Sequence, residues 1–256
     1  MGIGSSEMVT KQGYERAESG DQMADAVLKA KAERGLSITA LICTRNEEES
    51  LPHVLPRIPD WVDEVLFVDG HSSDGTVAVA RKLRPDVRVL YQPGRGKGNA
   101  LKYGVREAKG DIIVTLDADG ETDPEDMLRF VGPLLDGYDF AKGSRLAHGR
   151  PIRMPRYRWF GNKVLAVTFN LLYGTRYTDI CSGYNAFWKR AFLQVPLTYD
   201  TFQMEQQLLA RAHKAKIKVA EVVHSSDGRI AGASKTSGIK QGFIDWFVII
   251  GERFRG

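Results

Sequence analysis

Asp111-Ile-Ile-Val-Thr-Leu116, followed at once by Asp117-Ala-Asp-Gly-Glu-Thr-Asp123, is the stretch that decides the fold. Its first part is short, apolar and β-branched, as in a strand buried on both faces. Its second part is a loop of turn residues carrying two carboxylates one residue apart, and Pro124 then suits the first turn of a helix. Toward the N-terminus the same pattern recurs three times. Leu36–Cys43 is an apolar strand that breaks at Thr44-Arg-Asn-Glu-Glu-Glu-Ser50, and a helix follows with Leu51, Val54, Leu55 and Ile58 on one face. Glu64–Val68 runs into Asp69-Gly-His-Ser-Ser-Asp-Gly-Thr76, where Asp74 or Thr76 is placed to cap a helix over Val77–Leu83. Val87–Tyr91 runs into Gly94-Arg-Gly-Lys-Gly-Asn99 and a helix over Ala100–Ala108. Repeated strand–loop–helix units predict an α/β fold, with a mostly parallel central sheet and helices on both faces. Ligands of such sheets lie beyond the carboxyl ends of the strands. The loops at Arg45, Asp69, Lys97 and Asp117 are therefore expected to build one site.

The 256 residues are 43% hydrophobic and 27% charged, which excludes a disordered or fibrous chain. Cys43 and Cys181 are too few for a disulfide framework or a four-thiolate zinc site, and read as buried thiols in a reducing compartment. No run reaches the ~18 apolar residues of a membrane span. Residues 1–35 read as a mobile polar arm ending in a weak helix over Asp21–Arg34. Residues 36–256 read as one domain with a 36–142 half and a 143–256 half. The net charge of +4 hides an asymmetry. Residues 1–142 carry 18 Lys/Arg against 25 Asp/Glu, whereas residues 143–256 carry 18 against 7. Such a split suits an anionic partner for the second half: phosphates, a lipid surface or nucleic acid. Residues 145–163 hold six cations and no acid, interleaved with Tyr157, Trp159 and Phe160, ahead of an apolar helix over Val164–Tyr173. Gln203–His213 reads as a further helix and Asn185–Trp188 and Ile217–Val223 as strands, before an apolar tail, Phe243–Ile250.

Asp117 and Asp119 carry the most chemistry. Paired carboxylates at a strand end suit Mg²⁺ or Mn²⁺, hard ions that prefer oxygen. Such an ion bridges a diphosphate and offsets charge on a leaving group. Glu121 is either a third anionic ligand or a solvated loop charge.

In these loops the chain resembles the family 2 glycosyltransferases of the GT-A (Rossmann-like) fold, and among them the dolichyl-phosphate mannose and glucose synthases. The resemblance covers about residues 37–240. It rests on Thr44-Arg-Asn-Glu47, Val68-Asp-Gly-His-Ser-Ser-Asp-Gly-Thr76, Gly96-Lys-Gly-Asn-Ala100, Leu116-Asp-Ala-Asp119, Gly143-Ser-Arg145, Asp179-Ile-Cys-Ser-Gly-Tyr184, Glu221-Val222 and Gly232-Ala-Ser-Lys235, in order and at family spacing. It implies that the 36–142 half takes the nucleotide sugar and the 143–256 half the acceptor. Thr44, Asn46 and Glu47 would line the nucleotide pocket, and Asp69 would accept from the base. Lys97 would approach the base carbonyls or the diphosphate. Asp117 would sit by the ribose and the metal, and Asp119 on the metal. Arg145, Arg229, Ser234 and Lys235 would clamp phosphate, Arg as a planar fork and Lys as a point charge. The small residues of Ala231–Gly238 would close as a lid. Two departures stand out. Gly70 follows Asp69 where an aspartate pair is usual, and Gly120-Glu121 replaces an apolar residue and Gln.

Asp179 and Glu205 are the candidate bases. A hydroxyl acceptor needs one, whereas a lipid monophosphate is already anionic near neutral pH. The expected activity is inverting, metal-dependent transfer of a hexose from a GDP-mannose or UDP-glucose type donor to a polyprenyl or dolichyl phosphate. The expected location is cytoplasmic, peripheral on the inner face of an anionic membrane. A soluble hydroxyl acceptor and a non-catalytic nucleotide-sugar-binding module are the alternatives. A nucleic-acid partner would leave the four strand-end loops without a purpose.

Overall fold

In the computed structural model, which describes residues 20–226, 228–230 and 238–255, seven strands form one sheet. They are β1 (Ile38–Thr44), β2 (Glu64–Asp69), β3 (Arg88–Tyr91), β4 (Ile112–Asp117), β5 (Phe140–Ser144), β6 (Asn185–Trp188) and β7 (Val219–Val223). Their order is β3-β2-β1-β4-β6-β5-β7. All neighbours are parallel except β6, which runs antiparallel to both β4 and β5. The expected mostly parallel α/β sheet is therefore present.

Strand alternation explains the two-sided burial. Ile38, Ala40, Ile42, Val65, Phe67, Ile112 and Val114 face one helical layer, while Leu41, Leu66, Val68 and Ile113 face the other. The first layer holds α1 (Gly20–Glu33), the short α2 (Leu51–Val54), α3 (Thr76–Leu83) and α5 (Met127–Leu135). The second holds α4 (Lys97–Glu107), α6 (Arg156–Tyr173), α8 (Met204–Lys214) and α9 (Gly238–Phe254), while the short α7 (Lys189–Leu193) joins β6 to the segment before α8. With both faces covered, the strands read as near-continuous apolar runs. Fully buried Phe67 and Phe130 each contribute roughly 1.5–3 kcal/mol on transfer from water.

Several elements differ from their sequence reading. The helix expected from Val164 begins at Arg156, just after Pro155, so the basic-aromatic segment forms its first turns. Charges on its outer side obscure the apolar period there. The eight-residue apolar tail lies within the 17-residue α9. The helix expected over Asp21–Arg34 is present as α1, Gly20–Glu33, and residues 1–19 of the expected arm lie outside the described residues. Val27 of α1 enters the core, Lys31 donates to the Trp61 carbonyl at 2.8 Å, and Arg34 reaches the Leu135 carbonyl at 3.0 Å.

Strand register sets the site. Cys43 lies level with Asp117, Thr44 with Asp69, and Asp69 with Tyr91. The polar loops after β1, β2, β3 and β4 thus start along one line.

Candidate active site

Beyond that line opens a cleft of about 850 Å³. Over β2 and β3 it is lined by Thr44, Gly70, His71, Gln92 and Arg95, and centrally by Lys97, Asp117, Asp119, Glu121 and Arg145. Toward α6, α8 and α9 it is lined by Asn162, Glu205, Gln206 and Asp245.

The loops after β1 and β2 lock each other. Asn46 takes a left-handed backbone with φ 52°, its side-chain oxygen accepts from the Ser73 N–H at 2.8 Å, and its own N–H donates to Ser72 Oγ at 2.9 Å. The Glu47 N–H donates to Thr76 Oγ1 at 2.9 Å. Asp69, expected to meet the base, is only 1% exposed and does not line the cleft. Its carboxylate accepts from the Ser72 N–H at 2.9 Å and from the Ser72 hydroxyl. An aspartate at the head of a turn captures the backbone N–H groups of that turn, so here it shapes the loop. Thr44 does face the cleft, and among the described residues its buried Oγ1 has no partner.

The centre is a chain of opposite charges. Lys97, the first residue of α4, lies 2.7 Å from Asp117 Oδ1 and 2.8 Å from Glu205 Oε1. Burial alone would raise the Asp117 pKa, but the charge and hydrogen bond of Lys97, together with the charges of Arg145 and Arg229, outweigh it and hold the carboxyl below its usual range. Asp119 differs: burial first, then the charge of Asp117, pushes it up to about 6, although Arg229 lies 3.4 Å away. Gly120, at φ 73°, turns the chain so that the Glu121 N–H donates back to Asp119 Oδ1 at 3.0 Å. Glu121 accepts from Ser226 Oγ at 2.9 Å and pairs with Arg145 at 3.3 Å.

This donor set suits a hard divalent ion. The three side chains offer only carboxylate oxygens, and the like-charge crowding at Asp119 is what a cation relieves. Among the described residues, no group of three or more potential ligands is assembled into a cage.

Close backbone approach maintains the centre. A Cβ on Gly183 would lie 2.7 Å from Lys97 Nζ and nearer still to Asp117 Oδ2. Gly183→Ala should therefore displace the Lys97–Asp117 pair and cut activity at least tenfold, with a melting temperature within a few degrees of the parent. Full activity in that variant would show that the pair tolerates displacement.

Arg145 is positioned from below. Its Nε meets Asp179 at 2.8 Å and its Nη2 donates to the Cys181 carbonyl at 2.8 Å, leaving Nη1 toward Glu121. Asp179 is fully buried, accepts also from the Cys181 N–H at 2.8 Å, and does not line the cleft. Burial would raise its pKa, but Arg145 holds it well below the carboxylate range. Asp179 therefore has neither the position nor the basicity of a proton acceptor, contrary to the expectation from the sequence. Its work is to aim Arg145. Glu205, the other base candidate, does reach the cleft. Arg229 ion-pairs with Glu47 and Asp119. Ser234, Lys235 and most of the expected lid lie outside the described residues.

His71, Gln92, Arg95, Asn162, Gln206 and Asp245 also line the cleft and were not singled out from the sequence. A signal existed for two of them. Asn162 and Asp245 are polar residues in register with the buried faces of α6 and α9, three before Leu165 and Val248.

The glycosyl transferase family 2 model matches residues 39–195. The chain is 35% identical over 193 residues to glycosyltransferase AglJ of Haloferax volcanii, a match covering 73% of this chain and 61% of that relative's length. It is 33% identical over 215 residues to the polyprenol monophosphomannose synthase of Mycolicibacterium smegmatis, covering 77% of this chain and 80% of that protein. Glucosyl-3-phosphoglycerate synthase from Mycobacterium tuberculosis, solved with Mn²⁺, UDP-glucose and phosphoglyceric acid, shares the fold. Its TM-score is 0.73 over 93% of this chain and 86% of that one, at 21% identity. With its strand-end loops around one cleft and a family match over more than half its length, the chain belongs to the family 2 glycosyltransferases.

Proposed function

We propose that this glycosyltransferase moves a hexose, with inversion, from a nucleoside diphosphate sugar to a polyprenyl phosphate at a membrane surface. The observation that carries the reading is the cleft's layout. A recess over β2 and β3 suits a nucleoside, and a centre of carboxylates and cations suits a diphosphate. Beside it, α6 and α9 turn apolar side chains outward.

Asp117, Asp119 and Glu121 would hold Mg²⁺ or Mn²⁺, which when bound offsets charge on the departing diphosphate. Lys97 keeps Asp117 ionised and ties it to Glu205. Arg145, aimed by Asp179, and Arg229 supply positive charge around the same carboxylates. A phosphate monoester acceptor is ionised near neutral pH, so no base is required and the burial of Asp179 is no obstacle. Catalysis then rests on positioning and charge.

The lipid acceptor is favoured by the outer faces of two neighbouring helices. On α6, Tyr157, Phe160, Val164, Val167 and Leu171 are exposed at alternating spacings of three and four, one stripe of a helix. On α9, Ile239, Phe243, Phe247 and Phe254 are exposed at spacings of four, four and seven. The helices are joined by hydrogen bonds from Trp246 Nε1 to Thr168 Oγ1 and from the Tyr173 hydroxyl to the Ile249 carbonyl. Among the described residues, no helix is long and apolar enough to cross a membrane. The stripes, flanked by the cations of residues 145–163, suit shallow insertion into a leaflet, where each cation near anionic lipid gains ~1 kcal/mol.

The test combines vesicles with transfer. The protein should sediment with anionic vesicles, less so in high salt, and Phe243→Asp with Phe247→Asp should abolish this. Labelled hexose from a GDP- or UDP-sugar should enter the organic phase only when polyprenyl phosphate is present. Label passing instead to a water-soluble phosphorylated acceptor, without vesicles, would replace this reading with the acceptor class named for the Mycobacterium tuberculosis fold relative.

A further inference from the structure

We infer that the end of the cleft walled by α6, α8 and α9 reads the hydroxyl groups of the transferred sugar through Asn162, Gln206 and Asp245. The inference rests on the donor reading above and names what its far end recognises.

All three side chains line the cleft, yet they are only 9%, 2% and 6% exposed. Among the described residues, Asn162 Nδ2 and Gln206 Oε1 have no hydrogen-bond partner. The other end of Gln206 donates to the Cys181 sulfur at 3.7 Å. Buried polar atoms are almost always paired in folded proteins. Two unpaired ones in the wall of one cleft mark partners that a ligand supplies. Asp245 adds a carboxyl group, held by Gln241 Nε2 at 2.8 Å. Burial first, and then the charge of Glu205, pushes its pKa up to about 7, so near neutrality it both donates and accepts.

The chemistry of the set selects the ligand. An amide N–H donor, an amide carbonyl acceptor and a carboxyl complement hydroxyl groups, each of which donates and accepts. A phosphate dianion only accepts, and an isoprenoid chain does neither. Position agrees. Lys97 bridges Asp117 to Glu205, and Gln206 is the next residue. A hexose anchored through its diphosphate near Asp119 therefore extends toward this end. The walls are fixed by bonds away from the subsite, such as Gln207 Nε2 to Glu252 Oε1 at 2.8 Å between α8 and α9, so the groups are preorganised.

The experiment is calorimetric titration in Mn²⁺, without acceptor, of GDP, UDP and their hexose conjugates, including epimers and deoxy analogues differing at one hydroxyl. The parent should discriminate among sugars on its preferred nucleotide. Asp245→Asn, Gln206→Met and Asn162→Leu should each narrow that discrimination at least tenfold, because a site built to bond a hydroxyl strongly rejects analogues lacking it. Affinity for the bare nucleotide should stay within twofold. Asp245→Asn is isosteric, and a melting curve on each variant shows which ones fold. Unchanged discrimination in the folded variants overturns the inference. So does an equal loss for bare nucleotide and nucleotide sugar, which would make these residues part of the general cleft wall. In a parallel transfer assay, raised acceptor KM with unchanged donor discrimination would assign the groups to the acceptor and also overturn it. A parent that binds no nucleotide or nucleotide sugar overturns the donor reading itself.

Discussion

Asp119→Asn should lower hexose transfer by roughly a hundred- to thousandfold, as expected when a charge aimed at a transition state is removed, and should abolish the response to Mn²⁺. The same change should raise the melting temperature of the metal-free protein at pH 8. In the parent, burial and the neighbouring Asp117 charge push the Asp119 pKa up to about 6, so its ionised form is disfavoured in the fold. An acid raised in this way makes stability fall as pH climbs from the unfolded value near ~4 through about 6. The amide lacks that slope, and each kcal/mol relieved is roughly 2–4 °C in a domain of this size. Melting curves at pH 5 and pH 8, with and without Mn²⁺, beside radiolabelled transfer assays, measure both effects. Near-parental transfer in Mn²⁺ would remove Asp119 from the proposed site.

Asp179→Ala should be the most destabilising of the substitutions considered. It leaves the Arg145 guanidinium, only 8% exposed, without the carboxylate that holds its Nε at 2.8 Å. Breaking one half of a buried pair costs about 3–5 kcal/mol, roughly 6–20 °C in melting temperature. The Asp179 carboxyl is depressed by Arg145, so its stabilisation is complete above the unfolded value near ~3.9 and is lost as pH falls toward the lower folded value. The alanine variant should lack that acid limb. A residue serving as a base would behave differently, with normal melting and reduced kcat. A melting temperature within 2 °C of the parent would therefore restore Asp179 as a base candidate and refute its role in aiming Arg145.

The β1, β2, β3 and β4 units were readable because each couples a short apolar run to a polar loop and a helix, patterns set within a few residues. The start of α6 was not, since its cations lie on an outer face and interrupt the apolar run without interrupting the helix. Asp69 poses a related question. A carboxylate at a strand end serves a ligand or its own turn equally well by local pattern, and only the tertiary structure shows that its oxygens meet Ser72.

Local pattern alone determined the parallel sheet, the end of it that carries the loops, and the family, since strand period, turn residues and motif order are properties of neighbouring residues. Tertiary structure decided which charges meet. Lys97 and Glu205 are 108 positions apart, yet form one ion pair. Arg229 reaches back to Glu47 across 182 positions, and Asp179 turns inward to Arg145 and away from the cleft. Asn162, Gln206 and Asp245 come from three separate helices and acquire meaning only where those helices close one end of the cleft. Burial and pairing depend on the whole path of the chain, and with them the identity of the groups that remain open to a ligand.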